Sequence, residues 1–378
     1  MIRIYILTLI SLSVFSFGFI DRNIPVDDNH LLIFLRQVLG ILVYEKRLWS
    51  TLIYLVIVSL LFIFYLLCLS QSRIYYVISR YPRKFLILVS LILFISFPAL
   101  SYDIFNYMTT AKVAFFHKEN PYLVMPIEIS NEPWLAFTRA ANKVALYGPT
   151  WIAITWFPFQ LGKGNLLATI YAFKFVMLIN YFIMLILIYR LTNNFKNVIF
   201  FGLNPLVLIE VLVSAHNDIV MMVLAVTYLI LIGYKNFKSK LIGLFFFISS
   251  VFVKGATIVL FPFLFMGRNL KLPVFQISYW LMFAIFLLTP VREELYPWYA
   301  VWFITFAALT TIKKDSMLHA FTIAMTIGLS LRHVPYLYTR EYGGYGPVLR
   351  TMFTLAPPLF FGLYMQARSW LIKSTSNG

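Results

Sequence analysis

Residues 51–70 read TLIYLVIVSLLFIFYLLCLS, twenty consecutive positions without a charged side chain. Crossing the hydrocarbon core of a bilayer takes about 20 apolar residues at a rise of 1.5 Å each. In lipid only a helix or a closed barrel satisfies every backbone N–H and C=O. The stretch is continuously apolar rather than alternating, which selects a helix over a barrel strand. Phe85–Leu100, Leu166–Ile188 and Ile219–Gly233 are blocks of the same kind, with few or no charges. Over all 378 residues 61% are hydrophobic and 12% charged, against about half and a quarter in soluble domains. The expected fold is therefore all-α: a polytopic bundle of about ten spanning helices with short re-entrant or interfacial helices between them. No internal repeat, low-complexity run or Pro/Gly/Ser linker divides the chain, so residues 1–378 read as a single membrane domain.

The net charge of +17 raises nucleic acid as a partner. Its distribution excludes that reading, because the Lys and Arg residues fall in short runs between apolar blocks, as cytoplasmic anchors of membrane helices do. The partners implied are membrane lipids. Cys68 is the lone cysteine and has no intramolecular disulfide partner. Met1–Ile20 starts with Arg3 and lacks a small-x-small cleavage site, so it reads as a retained first helix rather than a removed signal peptide.

The same charges orient the chain. Arg3 places the N-terminus inside, and Asp21, Asp27 and Asp28 place the next loop outside. Leu31–Tyr44 is short, contains Arg36 and reads as interfacial or re-entrant. Arg73, Arg80, Arg83 and Lys84 mark the inner side, which puts the polar segment of about residues 101–147 outside. Tyr147–Leu161 holds Pro149 and Pro158. If it only dips into the interface, Arg190 and Lys196 fall inside and His216-Asn217-Asp218 outside, in agreement with the charge rule. Leu241–Met266 is long for one span, and two half-helices meeting at Lys254-Gly255 would keep Arg268 and Lys271 inside, with Lys313 and Lys314 also inside.

Polar groups then gather at the outer face. Asp103, followed by Asn106 and Tyr107, lies directly after an outward helix. A carboxylate there can take a proton from an acceptor hydroxyl as a general base; alone, it reads first as a polar cap at the membrane boundary. Asn120-Pro121-Tyr122, Trp134 and Tyr147-Gly148-Pro149 suit either a rigid platform or an ordinary aromatic belt. Glu210 is embedded among apolar residues, and an ionisable group at membrane depth is a functional-site candidate. His216 and Asp218, flanking Asn217, could hold a divalent cation such as Mg or Mn, or form a hydrogen-bonded helix junction; two ligands do not define a metal site. Lys254 in an apolar run either snorkels or meets an anion such as a phosphate. Tyr296-Pro297-Trp298-Tyr299 follows Arg292, Glu293 and Glu294, and Arg332-His333 with Arg340 forms a last outer group. A base, cations and aromatics on one membrane face suit a lipid-linked phosphorylated sugar.

The order Asp103, Asn120-Pro121-Tyr122, Trp134, Tyr147-Gly148-Pro149, Asn204-Pro205-Leu206, His216-Asn217-Asp218, Lys254 and Pro297-Trp298-Tyr299 resembles the polyprenol-phosphate-mannose-dependent mannosyltransferases of the GT-C superfamily. The resemblance covers roughly Ser101–Phe303. It implies transfer of a hexose, mannose first, from a polyprenyl-phosphate-linked donor to a glycan or glycolipid acceptor outside the cytoplasm, with inversion. It further implies Asp103 as the base and positive charge on the leaving phosphate, from Lys254 first and Arg332 or Arg340 second. His216 and Asp218 would shape the donor pocket or hold a metal, and Tyr147 and Trp298 would line the sugar or lipid path. Asn120, Tyr122, Glu210, Asn217 and Tyr299 complete the expected substrate site. One departure is Lys118-Glu119 before Asn120, where the pattern has a small residue such as glycine.

Glu210 and Lys254 within broken helices also suit a transporter or flippase of a lipid-linked glycan. That reading needs a midplane site. The enzyme reading needs Asp103, His216, Asp218 and Lys254 to meet in one cavity, and a purely structural subunit would scatter them.

Overall fold

The apolar blocks fold as helices: the computed structural model describes residues 1–25, 29–70, 73–265, 273–312, 315–341 and 343–376, and is 78% helical with no strand among them. The orienting residues Asp27, Asp28, Arg268, Lys271, Lys313 and Lys314 lie outside the described residues. The stretch quoted first lies in the helix Arg47–Leu69, whose 23 residues extend about 35 Å. Tyr54, Ile57, Val58, Leu61, Tyr65 and Cys68 are buried on one face, while Leu52, Val56, Ile63 and Leu66 are exposed on the other. A helix apolar on both its packed and its open face is built for lipid rather than water. Its two buried phenols find carbonyl partners: Tyr54 donates to Ser330 O and Tyr65 to Phe200 O, each at 2.8 Å.

By length and composition, five helices among the described residues can cross a membrane: Ile2–Phe19, Arg47–Leu69, Leu166–Thr192, Val274–Val291 and Gly346–Arg368. A bent pair, Phe195–Gly202 with Pro205–Val213, turns by 53° and raises the number to six. That is fewer than the ten expected, because several apolar blocks are broken. The block Phe85–Leu100 is helical only to Phe94. Pro98 follows, and Leu100 takes a left-handed φ of 67°. The Lys174 ammonium, buried in Leu166–Thr192, donates to Leu93 O (3.1 Å), Ser96 O (2.6 Å) and Ser96 Oγ (2.8 Å) and so closes that helix end. Leu241–Met266 divides where its sequence suggests. A helix ends at Lys254, Gly255 is left-handed at φ 77°, and a 3₁₀ segment Ala256–Leu264 follows.

Tyr147–Leu161 becomes the helix Pro149–Gly162, which folds back on Leu166–Thr192 through residues 163–165. A Cβ on Gly162 would lie 2.0 Å from Thr169 Oγ1, so the two helices approach as closely as glycine allows. Tyr171 donates to Ile95 O at 2.8 Å near the start of Leu166–Thr192. After that helix ends, Lys196 reaches Leu69 O, at the end of Arg47–Leu69. Arg190 and Lys196 therefore stand toward the same end of the bundle as the Arg73–Arg80 helix. The segment 101–147 is not a plain loop: Asp103–Phe115 is a helix with Ile104, Phe105, Tyr107, Met108 and Ala111 buried.

Candidate active site

Two short helices begin with a carboxylate, Asp103–Phe115 and Asp218–Ile232. An acidic side chain in a first turn faces the unpaired N–H groups and the positive end of the helix dipole. The second half of the bent pair ends in a π-helical turn at Leu208–Val213, before Asp218–Ile232. The chain then passes through Ala215 at φ 61°, an uncommon conformation for a residue with a Cβ. Ser214 Oγ donates to Ala99 O at 2.7 Å and the His216 N–H to Glu210 O at 2.9 Å. These bonds tie the His216-Asn217-Asp218 turn to the segment leading into Asp103.

Asp103 and His216 meet there. Asp103 Oδ2 accepts from the Tyr147 hydroxyl at 2.8 Å, and His216 Nδ1 approaches the same oxygen to 3.5 Å. The Asp103 side chain remains 21% exposed, whereas His216 and Glu210 are at 0%. Burial pushes the Asp103 carboxyl up. The close approach and charge of His216, then Lys254 and the Tyr147 hydroxyl, outweigh it and hold the group below the usual carboxylate range. Burial, with the charge of Asp103, raises the Tyr147 phenol well above its usual value, so it stays a donor.

Lys254 donates to both oxygens of Asp218, at 2.9 and 3.1 Å, and the Trp302 indole donates to Oδ1 at 2.6 Å. The ammonium also lies 4.7 Å above the Tyr299 ring. Tyr147 is locked to this group through Gly148, whose N–H donates to Val253 O at 3.1 Å. A Cβ on Gly148 would stand 2.1 Å from Phe252 O, so only glycine permits this contact.

Asp103, Tyr147, Lys254, Trp298, Tyr299, Trp302, Arg332 and His333 line one cavity of about 1210 Å³. Six cations border it (Arg139, Lys143, Lys254, Arg292, Arg332 and Arg350) against the carboxylates Asp103, Glu293 and Glu294. Glu294 bridges Arg332 and Arg350, the latter at 2.9 Å. Trp298 is sandwiched between His216 (centroids 4.1 Å apart) and Tyr296 (4.4 Å), both nearly parallel to it.

The remaining expected residues stand around this cavity. Asn120 Oδ1 accepts from the Tyr122 N–H, and the Tyr122 hydroxyl donates to Tyr147 O at 2.9 Å, so both brace Tyr147 from outside the lining. Lys118 takes a φ of 59°, which explains why a glycine suits that stretch. The Asn217 N–H reaches the Tyr107 hydroxyl at 3.4 Å. Arg340 is held away from the cavity lining by Val43 O and the rings of Tyr44 and Tyr336. His216 and Asp218 take different partners, and no group of three or more His, Cys, Asp or Glu side chains among the described residues is arranged for a metal ion. Sequence reasoning missed Trp302, Arg350 and the buried Lys174. Trp302 follows Trp298 by four residues, the spacing of helical neighbours, and was legible. Arg350 carries no local signal.

A family model described as alpha-(1->6)-mannopyranosyltransferase, N-terminal domain, matches residues 5–268. The chain belongs to this family. It is accordingly a mannosyltransferase, and its several long apolar helices fit a membrane protein. No curated protein and no solved structure matches it. The match covers Asp103, Tyr147 and Lys254 of the cavity lining, with His216 and Asp218 buried behind them, while Trp298, Trp302, Arg332, His333 and Arg350 lie beyond the match and complete the lining.

Proposed function

We propose that the enzyme moves mannose from a polyprenyl-phosphate donor to a hydroxyl of a glycan or glycolipid acceptor, in the GT-C manner, with inversion and with Asp103 as general base. The observation that carries this is the Asp103 carboxylate, which opens onto the cavity while Tyr147 and His216 occupy its Oδ2. Its other oxygen is left for the acceptor hydroxyl. The acceptor oxygen bonds to the sugar's anomeric carbon as Asp103 takes its proton. The bond to the phosphate oxygen breaks, and the electron pair leaves with the phosphate. The family's α-(1→6) description suggests a 6-hydroxyl acceptor; an inverting step that leaves an α linkage needs a β-linked donor.

The leaving phosphate needs excess positive charge. Lys254 is neutralised by both oxygens of Asp218, whereas Arg332 and Arg350 stand side by side on the cavity lining around Glu294. The arginine pair is thus the phosphate site in this reading, and Lys254 holds the wall formed by Asp218, Tyr299 and Trp302. Trp298, with a ring on each face, shapes the pocket instead of stacking on the sugar. Arg190, Lys196 and the Arg73–Arg80 helix gather toward the opposite end of the bundle. That favours an extracytoplasmic cavity in a multi-pass membrane protein forming one domain.

The test is transfer from polyprenyl-phosphate-mannose in membranes by wild type and Asp103→Asn. Loss of transfer in a stably inserted variant is expected. Unchanged transfer would remove Asp103 as the base, and no transfer by wild type would remove the donor.

A further inference from the structure

Glu210 has no solvent exposure and lies between two imidazoles. Its Oε2 is 3.3 Å from His216 Nε2, and its Oε1 is 3.3 Å from His333 Nε2. Through His216 Nδ1, 3.5 Å from Asp103 Oδ2, the series reads Asp103, His216, Glu210, His333: carboxylate and imidazole in alternation. Both ends, Asp103 and His333, line the cavity, while the two inner members are closed off. A carboxylate buried among Leu208, Ile209, Val211 and Leu212 is strongly disfavoured unless it is paired. The local backbone is also built around it: its carbonyl accepts the His216 N–H at 2.9 Å across the left-handed Ala215.

We propose that Glu210 is a positioning residue of the transfer reaction, braced by His333, and holds His216 as an imidazolium with its Nδ1–H turned to Asp103. The inference rests on Asp103 being the base. With a carboxylate facing each ring nitrogen, His216 satisfies both only as the imidazolium, which donates at Nε2 and at Nδ1; the Glu210 carboxylate supports that form and fixes the orientation of the ring. Trp298, stacked on the ring, limits its tilt. The proton of the acceptor goes to Asp103 and no proton travels to Glu210. Glu210 acts by keeping the Nδ1 donor on Asp103 Oδ2, so that the free oxygen meets the acceptor in ionised form. The groups facing Asp103 are Tyr147, His216 and, by charge, Lys254. Those facing Glu210 are His216 and His333, with the Tyr54 phenol nearby.

The experiment measures mannosyl transfer in membranes as a function of pH for wild type, Asp103→Asn, Glu210→Gln, Glu210→Asp and His333→Asn. Glu210→Gln preserves volume but removes the negative charge that pairs with the His216 imidazolium. It is expected to lower kcat about tenfold or more with the donor KM within about twofold, and to move the acid limb of kcat/KM to higher pH. His333→Asn, at the cavity edge, should shift the limb in the same direction by less, and Glu210→Asp should recover part of the wild-type profile. Wild-type kcat and an unmoved limb in Glu210→Gln would overturn the inference while Asp103 stands. A loss of activity with the limb unmoved in both Glu210→Gln and His333→Asn would overturn it as well, since a merely structural role predicts that result. Inactive wild type, or an active Asp103→Asn, would instead signal failure of the underlying reading.

Discussion

Asp103, the proposed base, is tuned by its surroundings. Its carboxyl is depressed, chiefly because the close approach and charge of His216 outweigh the effect of burial. A depressed carboxylate is fully ionised above its ordinary value, near 3.9, and gains protons only as the pH falls through its lower folded value. The limb of kcat/KM due to Asp103 is therefore expected below about pH 4. The same shift contributes to stability above the ordinary value and is lost as pH falls through the folded one. A pH–rate profile of wild type against His216→Asn checks this, with the limb rising in the variant. Asp103→Asn should reduce kcat by about 10²–10⁴ without changing insertion. The Asp103 position was legible because a carboxylate after an apolar block is conspicuous. Its partners were not, since Tyr147 and His216 lie 44 and more than 100 residues along the chain.

At the scale of elements, broken helices build the site. The Lys254-Gly255 break and the Tyr147-Gly148-Pro149 turn are visible in sequence as a charge, glycines and a proline in apolar runs. Their contact with each other is not visible. Gly148→Ala would drive its Cβ into Phe252 O. The expected loss is about 1–3 kcal/mol of stability, together with weaker transfer as Tyr147 moves off Asp103; thermal unfolding in detergent and the transfer assay read the two effects. Lys174 shows the reverse case, a buried lysine within an apolar helix whose contacts are structural. It closes the end of Pro82–Phe94 through Leu93 and Ser96. Lys174→Met should lower thermal stability by about 1–3 kcal/mol by leaving buried acceptors unpaired, with KM for the donor unchanged.

Across the whole molecule, the cavity joins two parts of the chain. Residues 5–268 supply Asp103 and the Lys254–Asp218 pair. The later segment supplies the Trp298–Trp302 wall and the arginines, with Arg350 on the helix Gly346–Ser376. A Cβ on Gly328 would fall 2.0 Å from Thr354 O, so this last helix is seated against Ser316–Leu331, and Arg350 is carried to the cavity with it. Arg350→Gln and Arg332→Gln should each reduce kcat/KM for the proposed polyprenyl-phosphate donor about tenfold or more, and leave the pH behaviour proposed for Asp103 in place. Steady-state kinetics on both variants check it.

The sequence by itself determined that the chain is all-helical and lipid-facing, because run length and continuity of apolar residues are local properties that backbone hydrogen bonding in a bilayer converts directly into helices. It also held the ordered motifs, from Asp103 to Pro297-Trp298-Tyr299, that resemble a mannosyltransferase pattern. Only the tertiary structure decided which polar groups share a cavity. It joined His216 to Asp103 and gave Lys254 to Asp218. It also hid Glu210 between two histidines, kept Arg340 outside and brought in Arg350. The reason is physical: a charge in an apolar run announces that it must find a partner, but the partner is chosen by how helices distant in sequence pack, and no local pattern encodes that choice.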